Sequence, residues 1–168
     1  MISLMTRIRA YETADWPSVL PLLQCAIAAG DTFAWHPDSS EATIHEAWID
    51  APAATFVACD DDGRILGCYF IKVNQPGLGD HVCNAGYCVA PAARGRGIAA
   101  AMCKHSQAEA RARGFRAMQF NFVIATNTPA VHLWQKLGFA IVGRLPSAYR
   151  HSQLGYVDAL VMYKSLHT

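Results

Sequence analysis

The residues best suited to chemistry form a short loop with two arginines and two glycines, residues 94–97. Pro91 ends the strand predicted before this loop, because proline cannot donate to a sheet ladder, and a helical pattern starts at Ile98. The first N–H groups of a helix lack intrahelical partners and attract anions. Glycine lets this backbone approach a phosphate closely, and Arg94 or Arg96 can add a charged contact. The stretch therefore predicts a phosphate-binding site.

Three kinds of phosphate ligand can be weighed for this loop. A Walker-type loop requires G-x-x-x-x-G-K-[ST], and no such pattern follows Gly95 or Gly97. A dinucleotide loop is closer, since Gly95, Gly97 and Ala100 spell G-x-G-x-x-A. That loop also needs an acidic ribose ligand about 20 residues later, where the next predicted strand carries Asn121. A dinucleotide-dependent oxidoreductase is thus one alternative.

The third kind is an acyl-CoA loop with the pattern R-x-x-G-x-A. Arg94, Gly97 and Ala99 form this pattern just after a V-x-P turn at Val89 and Pro91. These residues resemble the acyl-CoA loop of the GNAT superfamily of N-acetyltransferases. Taken alone, the loop also fits an ordinary α/β domain with a glycine-rich turn.

A second motif follows at the spacing typical of GNAT proteins. Residues 127–139, N-T-P-A-V-H-L-W-Q-K-L-G-F, resemble the superfamily segment N-x-x-A-x-x-L-Y-x-K-L-G-F. The matching positions are Asn127, Ala130, Leu133, Lys136, Leu137, Gly138 and Phe139. The resemblance covers residues 6–166, although the first third matches only in the order of its elements.

The resemblance implies one acyl-CoA N-acyltransferase domain over residues 1–168, of the α/β (α+β) class. A mixed, mostly antiparallel sheet of about six or seven strands would be flanked by about four helices. The fourth and fifth strands would splay apart and admit the thioester between residues 87–89 and 120–122, with the Val89 N–H as the catalytic oxyanion donor. The implied acetyl-CoA contacts are Tyr87, Cys88, Val89, Arg94, Gly95, Arg96, Gly97, Ile98, Ala99, Ala100, Asn127 and Trp134.

One functional position departs from the GNAT pattern. The superfamily often has Tyr as the general acid for the departing thiolate, and Trp134 stands there. An indole N–H has no useful acidity. A thiol pKa of about 8.5 makes the thiolate a tolerable leaving group, and Tyr87 is a substitute candidate for the acid. A non-catalytic acyl-CoA-binding module is the alternative that this change suggests.

Two asparagines interrupt strands that are otherwise apolar. A buried amide must find hydrogen-bond partners, so Asn84 and Asn121 could bind a substrate carboxylate or donate to the oxyanion. We treat both as candidate catalytic and substrate-binding residues. The stretch F-N-F-V-I-A-T-N, with Asn84 upstream, resembles the fungal proline-analogue N-acetyltransferases. Alternatively, these amides cap sheet ends or bridge loops.

The acceptor is expected beside an aromatic loop at residues 30–37. In the GNAT fold the connection between the first two helices walls the acceptor site, which makes Phe33 and Trp35 substrate-pocket candidates; plain packing is the alternative. Tyr149 is a further substrate-binding candidate. The candidates for the general base are His81, His151, Tyr149 and Asp31. This loop is aromatic rather than acidic, which argues against polyamine acceptors.

Periodicity and turn signals predict the elements that position these residues. Strands are predicted at 6–9, 55–59, 64–72, 81–89, 117–122, 140–144 and 156–163. Helices are predicted at 15–30, 41–51, 98–113 and 128–137. Residues 145–155 are predicted to be a loop, and Pro21 to distort the first helix.

Length and composition fit one globular domain. The chain has 168 residues, of which 52% are hydrophobic and 16% charged. A net charge of +1 provides no basic field for nucleic acid. No apolar run reaches the roughly 18 residues that span a bilayer. The start lacks a signal-peptide pattern, so we expect a cytoplasmic protein with no membrane partner and with Met5 as an alternative start.

Cysteine and histidine spacing does not indicate a metal site. None of the six cysteines forms C-x-x-C or pairs with histidine at zinc-finger spacing. We therefore predict buried, reduced thiols and no metal.

The functional prediction is an acetyl-CoA-dependent N-acetyltransferase. Its acceptor would be the amine of a small molecule, with an amino acid or a proline analogue as candidates, and transfer would proceed by direct attack through a tetrahedral intermediate. The resemblance also implies a homodimer.

Overall fold

The computed structural model describes residues 6–167 and contains one seven-stranded sheet. The strands are β1 (Arg7–Ala10), β2 (Ala54–Cys59), β3 (Ile65–Val73), β4 (Val82–Val89), β5 (Ala117–Ile124), β6 (Ala140–His151) and β7 (Gly155–Ser165). The longer helices are α1 (Trp16–Ala29), α2 (Glu41–His45, continued by a π turn at Glu46–Asp50), α3 (Ile98–Ala112) and α4 (Thr128–Lys136). Both candidate starts, Met1 and Met5, lie outside the described residues.

The sheet order is β1-β2-β3-β4-β5-β7-β6. All neighbours are antiparallel except β4 and β5, which run parallel. Buried residues form two cores, one between the sheet and α3 and α4, the other between the sheet and α1 and α2. These observations confirm the predicted mixed, mostly antiparallel sheet flanked by helices.

Helix α1 shows how the sequence pattern builds the second core. Its buried stripe consists of Val19, Leu23, Ala26 and Ile27, at the spacing of one helical face. The helix continues through Pro21 to Ala29 and ends at Gly30, whose φ of 65° is left-handed and favours glycine. Across residues 6–167, none of the helices has the length and apolar character needed to cross a membrane.

The predicted loop at residues 145–155 is wrong, because β6 extends to His151 and β7 begins at Gly155. Pro146 and Ser147 look like turn residues, but β6 lies at the sheet edge, where a residue without an N–H donor is tolerated. The ladder is interrupted between Leu145 and Tyr149 and then resumes. A bulge in a long hairpin therefore replaces the expected loop.

Candidate active site

Strands β4 and β5 pair only where they begin. The ladder joins Val82 to Ala117 and Cys83 to Met118, and no further pair connects the two strands. Beyond this point β5 remains paired with β7, as far as Ile124. The sheet therefore opens into a gap, which confirms the predicted splay between the fourth and fifth strands.

Alternate residues of β4 direct their backbone groups into this gap. The N–H of Ala90 donates to a β3 carbonyl at 2.8 Å, while the register pairs Val89 with Gly67. This pattern makes Val89 a residue that is not hydrogen-bonded to β3, and the same applies to Tyr87 two positions earlier. Their N–H and C=O groups point toward β5. Cys88, between them, has its backbone occupied within the β3–β4 ladder.

The side chain of Asn84 bridges the gap. Its Nδ2 donates to the backbone carbonyl of Gln119 at 2.9 Å, just beyond the last backbone pair of the two strands. Asn84 thus connects β4 to β5 where the backbone no longer does. This contact is of the bridging kind that the sequence left open as an alternative to substrate binding.

Asn121 lies in a bulge on the β5 side of the gap. Between Phe120 and Val123, two residues of β5 oppose one of β7, and such bulges re-aim side chains. The Asn121 side chain is exposed; its Nδ2 donates to Asn74 Oδ1 at 2.6 Å, and its Oδ1 accepts from Gln119 Nε2 at 2.8 Å. The amide therefore belongs to a short chain of polar side chains at the rim of the gap.

The predicted phosphate loop is open to a ligand. Gly95 and Gly97 have φ values of 75° and 79°, which favour glycine. A Cβ atom on either would meet nothing within 4 Å, so the space over the backbone is empty. Arg94 lines a cavity of about 250 Å³ above this loop, whereas the exposed side chain of Arg96 does not.

Helix α3 begins at the end of this loop with free donors. Its first intrahelical bond runs from the Ala101 N–H to the Gly97 carbonyl. The N–H groups of residues 98–100 therefore have no helical partner, and all three residues line the same cavity. Residues Ile98, Ala99 and Ala100 are thus placed where an anion would be held.

A larger cavity, of about 540 Å³, continues from the loop into the gap. It shares Val89, Arg94 and Ala99 with the loop cavity and is lined on the α4 side by Asn127 and Trp134. The Asn127 side chain also caps α4, because its oxygen accepts from the backbone N–H of Ala130 at 3.3 Å.

A third cavity, of about 270 Å³, opens from the gap; we call it the acceptor cavity because residues predicted to bind the acceptor line it. It meets the larger cavity at Phe33, Tyr87 and Trp134, which line both. Four predicted acceptor-site residues come together in its wall: Phe33, Trp35, Asn84 and Asn121. Sequence reasoning missed others in the same wall, namely Trp48, Phe70, Lys72, Gly86 and Phe122.

Three of the missed residues, Trp48, Phe70 and Gly86, shape the acceptor cavity. The ring of Phe70 packs edge-on against Trp48, with 4.9 Å between centroids. A Cβ on Gly86 would lie 2.6 Å from the Phe70 ring, so only glycine lets this ring rest on β4. The sequence does indicate that Phe70 and Lys72, two residues apart on β3, share one face of the sheet. Only the fold shows which cavity that face lines.

Trp134 is a packed wall residue. It is buried, and its ring centroid lies 5.1 Å from both Tyr87 and Phe120. Trp134 therefore closes the α4 side of the gap without offering an acidic proton.

The hydroxyl of Tyr87 is engaged away from the gap. It bonds to Ser106 Oγ on α3 at 2.7 Å and approaches Met118 Sδ at 3.6 Å. Burial raises the pKa of Tyr87 well above its ordinary value. The ring of Tyr87 lines the gap, but its hydroxyl has no accessible proton to give, which counts against a role as the acid.

Tyr149, a predicted substrate-binding residue, lines none of the three cavities and instead holds the aromatic loop at residues 30–37. Its hydroxyl donates to the Gly30 carbonyl at 2.6 Å and approaches the Phe33 carbonyl at 3.4 Å. Burial and the nearby Asp31 raise the pKa of Tyr149. Tyr149 thus positions the loop that carries Phe33 and keeps its proton at neutral pH.

The base candidates occupy different places. His81 is exposed just before β4, at the end where β4 and β5 are still paired. His151 lines the large cavity, but its Nδ1 accepts backbone N–H groups of Gln153 and Leu154 at 3.1 and 3.3 Å. Nε2 then carries the proton of the neutral ring. Asp31 lines the same cavity and accepts from the Thr32 hydroxyl at 3.0 Å.

Thiols and carboxylates do not gather into a metal centre in the described residues. No group of three or more His, Cys, Asp or Glu side chains within 6–167 is placed to hold an ion. Cys59, Cys68, Cys83, Cys88 and Cys103 are buried and free, and Cys25 is free and exposed. Burial raises the pKa of Cys83 to about 12.

Known proteins share both the sequence and this architecture. The chain is 42% identical to a GCN5-related N-acetyltransferase from Kribbella flavida, with a TM-score of 0.91 over 95% of this chain and 97% of that one. A phosphinothricin acetyltransferase from Sinorhizobium meliloti, solved with acetyl-CoA, has a TM-score of 0.85 over 95% of this chain and 88% of that one; at 20% identity it shows the fold alone.

Curated relatives match part of their own length. N-acetyltransferase aca1 of Schizosaccharomyces pombe is 36% identical over 66% of this chain and 54% of its own. A mycothiol acetyltransferase of Mycobacterium sp. is 38% identical over 65% of this chain and 39% of its own. The chain thus spans about half or less of these relatives. The profile of the Acetyltransferase (GNAT) family matches residues 13–139. The chain therefore belongs to the GNAT acetyltransferase family.

Proposed function

We propose that the chain transfers an acetyl group from acetyl-CoA to the amine of a small molecule, with an amino acid or a proline analogue as the candidate acceptors. The observation that carries this proposal is the continuity of the three cavities. The loop cavity and the large cavity share Val89 and Arg94. The large cavity and the acceptor cavity share Phe33 and Trp134. One passage thus joins an anion-binding helix start to an aromatic cavity across the opened sheet.

Two sets of groups in the chain fit two parts of acetyl-CoA, the pyrophosphate and the amide-bearing arm. The free N–H groups of residues 98–100 and the Arg94 side chain suit a pyrophosphate, because the glycine backbone leaves room for it. The gap-facing N–H and C=O groups of Tyr87 and Val89 suit the amides of an extended arm. Acetyl-CoA supplies an acetyl group that is already activated as a thioester.

Direct transfer forms a bond from the amine nitrogen to the acetyl carbon and releases the thiolate. The Val89 N–H is aimed into the gap, where it can donate to the carbonyl oxygen as negative charge develops. Asp31 lines the same cavity and is our candidate to take the ammonium proton, directly or through water. The thiolate leaves unassisted, because the Tyr87 hydroxyl is engaged with Ser106.

A homodimer is part of the proposal. Its support is a set of exposed apolar side chains spread along the β6–β7 hairpin: Ile141, Val142, Leu145, Leu154 and Tyr156. Single exposed apolar residues are ordinary, but a group on one hairpin suits an interface. Sedimentation velocity of the wild type and of a Val142→Glu variant tests this: a dimer that the variant dissociates supports the assignment, and a wild-type monomer contradicts it.

Two measurements on the full chain test the activity. Acetyl-CoA at a hundredfold excess over its dissociation constant should stabilise the protein by about 2.7 kcal/mol, seen as a rise in Tm. Thiol release should then depend on an added amine. Absence of any stabilisation contradicts the proposal. Stabilisation without thiol release, over a broad panel of amines, would instead identify a non-catalytic acyl-CoA-binding module.

A further inference from the structure

The acceptor cavity has a marked charge asymmetry. Among the described residues that line it, Lys72 carries the single ionic charge, and no aspartate or glutamate contributes. The remaining wall is mainly aromatic, with Phe33, Trp35 and Phe70 among its members. A cavity of about 270 Å³ that contains one cation and no anion suits a small ligand with one negative group.

Among residues 6–167, Lys72 has no anionic partner for its charge, although its ammonium lies over an aromatic ring. Its half-buried side chain lies with Nζ 5.5 Å from the centroid of the Phe70 ring. Within residues 6–167 it forms neither an ion pair nor a side-chain hydrogen bond. The chain's partly buried lysine on β7 differs, because Lys164 donates to Gln107 at 2.6 Å and to the Leu137 carbonyl at 2.7 Å. A cation that is partly desolvated and unpaired favours an anionic ligand.

The strand register places Lys72 beside the amide that bridges the gap. Lys72 lies directly opposite Asn84 in the β3–β4 ladder, and directly opposite residues have Cβ atoms about 4.5–5.5 Å apart on the same face. One N–H of the Asn84 amide is used on Gln119, and an amide group has two. An ammonium and an amide donor therefore share one part of the wall.

We propose that Lys72 binds the carboxylate of the acceptor, which makes the substrate an amino-carboxylate with an uncharged, apolar body. This inference rests on the proposed acetyl transfer and names the substrate class for that site. The aromatic wall would enclose the apolar body, while the carboxylate on Lys72 would orient the amine toward the gap. Acceptors with a second ammonium in place of the carboxylate are disfavoured, because Lys72 would repel it and no acidic side chain lines the cavity to bind it.

The test compares acids with their uncharged amides on the full chain. L-leucine, L-phenylalanine and L-proline are each assayed beside the corresponding carboxamide, at saturating acetyl-CoA, for wild type and for Lys72→Met, Lys72→Arg and Lys72→Glu. In wild type, kcat/KM should favour the acids. Lys72→Met should lower kcat/KM for the acids by about tenfold to hundredfold, mostly through KM, because a hydrogen bond to a charged group is lost. The amides should change by less than about threefold.

The other variants separate charge from packing. Lys72→Arg should keep the preference for acids, and Lys72→Glu should reverse it in favour of amides. Lys104→Met, which removes an exposed charge on α3, is the matched control and should leave the acid-to-amide ratio unchanged. Tm and the KM for acetyl-CoA should be the same in all four variants.

The outcomes distinguish this inference from the proposed function. If wild type acetylates amides or simple amines better than acids, the transferase activity stands and the Lys72 assignment falls. If Lys72→Met weakens acids and amides equally, Lys72 is a packing residue. If wild type acetylates no amine at all, the proposed function fails and the Lys72 assignment fails with it.

Discussion

The side-chain amide of Asn84 donates to the backbone carbonyl of Gln119 at 2.9 Å, one step beyond the last backbone pair of β4 and β5. At this point the sheet changes from a continuous ladder to a gap. This side-chain hydrogen bond therefore joins β4 to β5 where the two strands begin to separate, and it sets the width of the gap there.

Asn84→Ala should lower both stability and activity. Loss of one hydrogen bond costs about 0.5–1.5 kcal/mol, seen as a lower Tm, and a looser gap should reduce kcat/KM for acetyl-CoA and for acceptor together. Asn84→Asp should behave alike, since a carboxylate cannot donate to the Gln119 carbonyl. Thermal unfolding and steady-state kinetics provide the measurements. An unchanged Tm with a rise in acceptor KM alone would instead identify Asn84 as a substrate contact.

Arg94→Ala should weaken acetyl-CoA selectively. The side chain lines both the loop cavity and the gap, and a charge-assisted contact to phosphate contributes about 1.5–3 kcal/mol, so the KM for acetyl-CoA should rise roughly tenfold or more. Turnover at saturation should be preserved. Arg7→Ala, an exposed change on β1, is the control. Equal acetyl-CoA KM values for the two variants would refute the pyrophosphate assignment.

Asn121→Ala should lower turnover and leave acetyl-CoA affinity intact, which is the reverse of Arg94→Ala. If its amide orients the acceptor or donates to the oxyanion, turnover should fall by about 10²–10³, with acetyl-CoA affinity intact; Asn121→Asp should do similar damage. Asn74→Ala removes the partner that Asn121 bonds at 2.6 Å and leaves the Asn121 amide in place. A smaller loss of turnover in Asn74→Ala than in Asn121→Ala supports a direct role of Asn121 in the reaction. Equal decreases in Tm with normal turnover in both variants indicate that Asn121 is structural.

Trp134→Phe should retain turnover. The indole N–H has no useful acidity, so its removal should change kcat by less than about threefold if the thiolate leaves unassisted. Trp134→Ala should cost about 3–5 kcal/mol in unfolding free energy, since the ring packs on both Tyr87 and Phe120. A large drop in kcat for Trp134→Phe, with normal Tm, would show that the indole N–H takes part in the reaction.

Stability should depend on Asp15 at low pH. Arg9 donates to both carboxylate oxygens of Asp15, at 2.7 and 2.8 Å, and holds the pKa of this buried carboxyl below its usual value. The contribution is therefore fully present above the unfolded pKa of about 3.9 and is lost as pH falls through the folded value. Asp15→Asn should cost about 1.5–3 kcal/mol at neutral pH. Urea unfolding from pH 7 to 3 should show this difference shrinking; a constant difference would contradict it.

Local patterns predicted the parts of the site that lie within one stretch of chain. The loop at residues 94–97 and the start of α3 follow from glycine, arginine and helix periodicity within a few residues. The same holds for Asn127 at the start of α4. The gap itself came from the family resemblance, since no local pattern shows that two parallel strands part after two pairs.

Contacts between distant segments could not be predicted. Lys72 lies in an apolar strand, and only the packing of β3 beside β4, in a cavity wall that also contains Phe33, gives it a role. The Asn84–Gln119 bond joins positions 35 residues apart. Both strands of the β6–β7 hairpin were predicted, but their extension was missed, because Pro146 and Ser147 have the composition of a loop while pairing with β7 overrides that local preference.

The opened sheet leaves a strand edge inside the molecule. An unpaired row of N–H and C=O groups is a template for another extended chain, and here Tyr87 and Val89 present that row beside the wall formed by Trp134. An amide-bearing cofactor arm would occupy the edge as an extra strand and slow hydrogen exchange at those two amides.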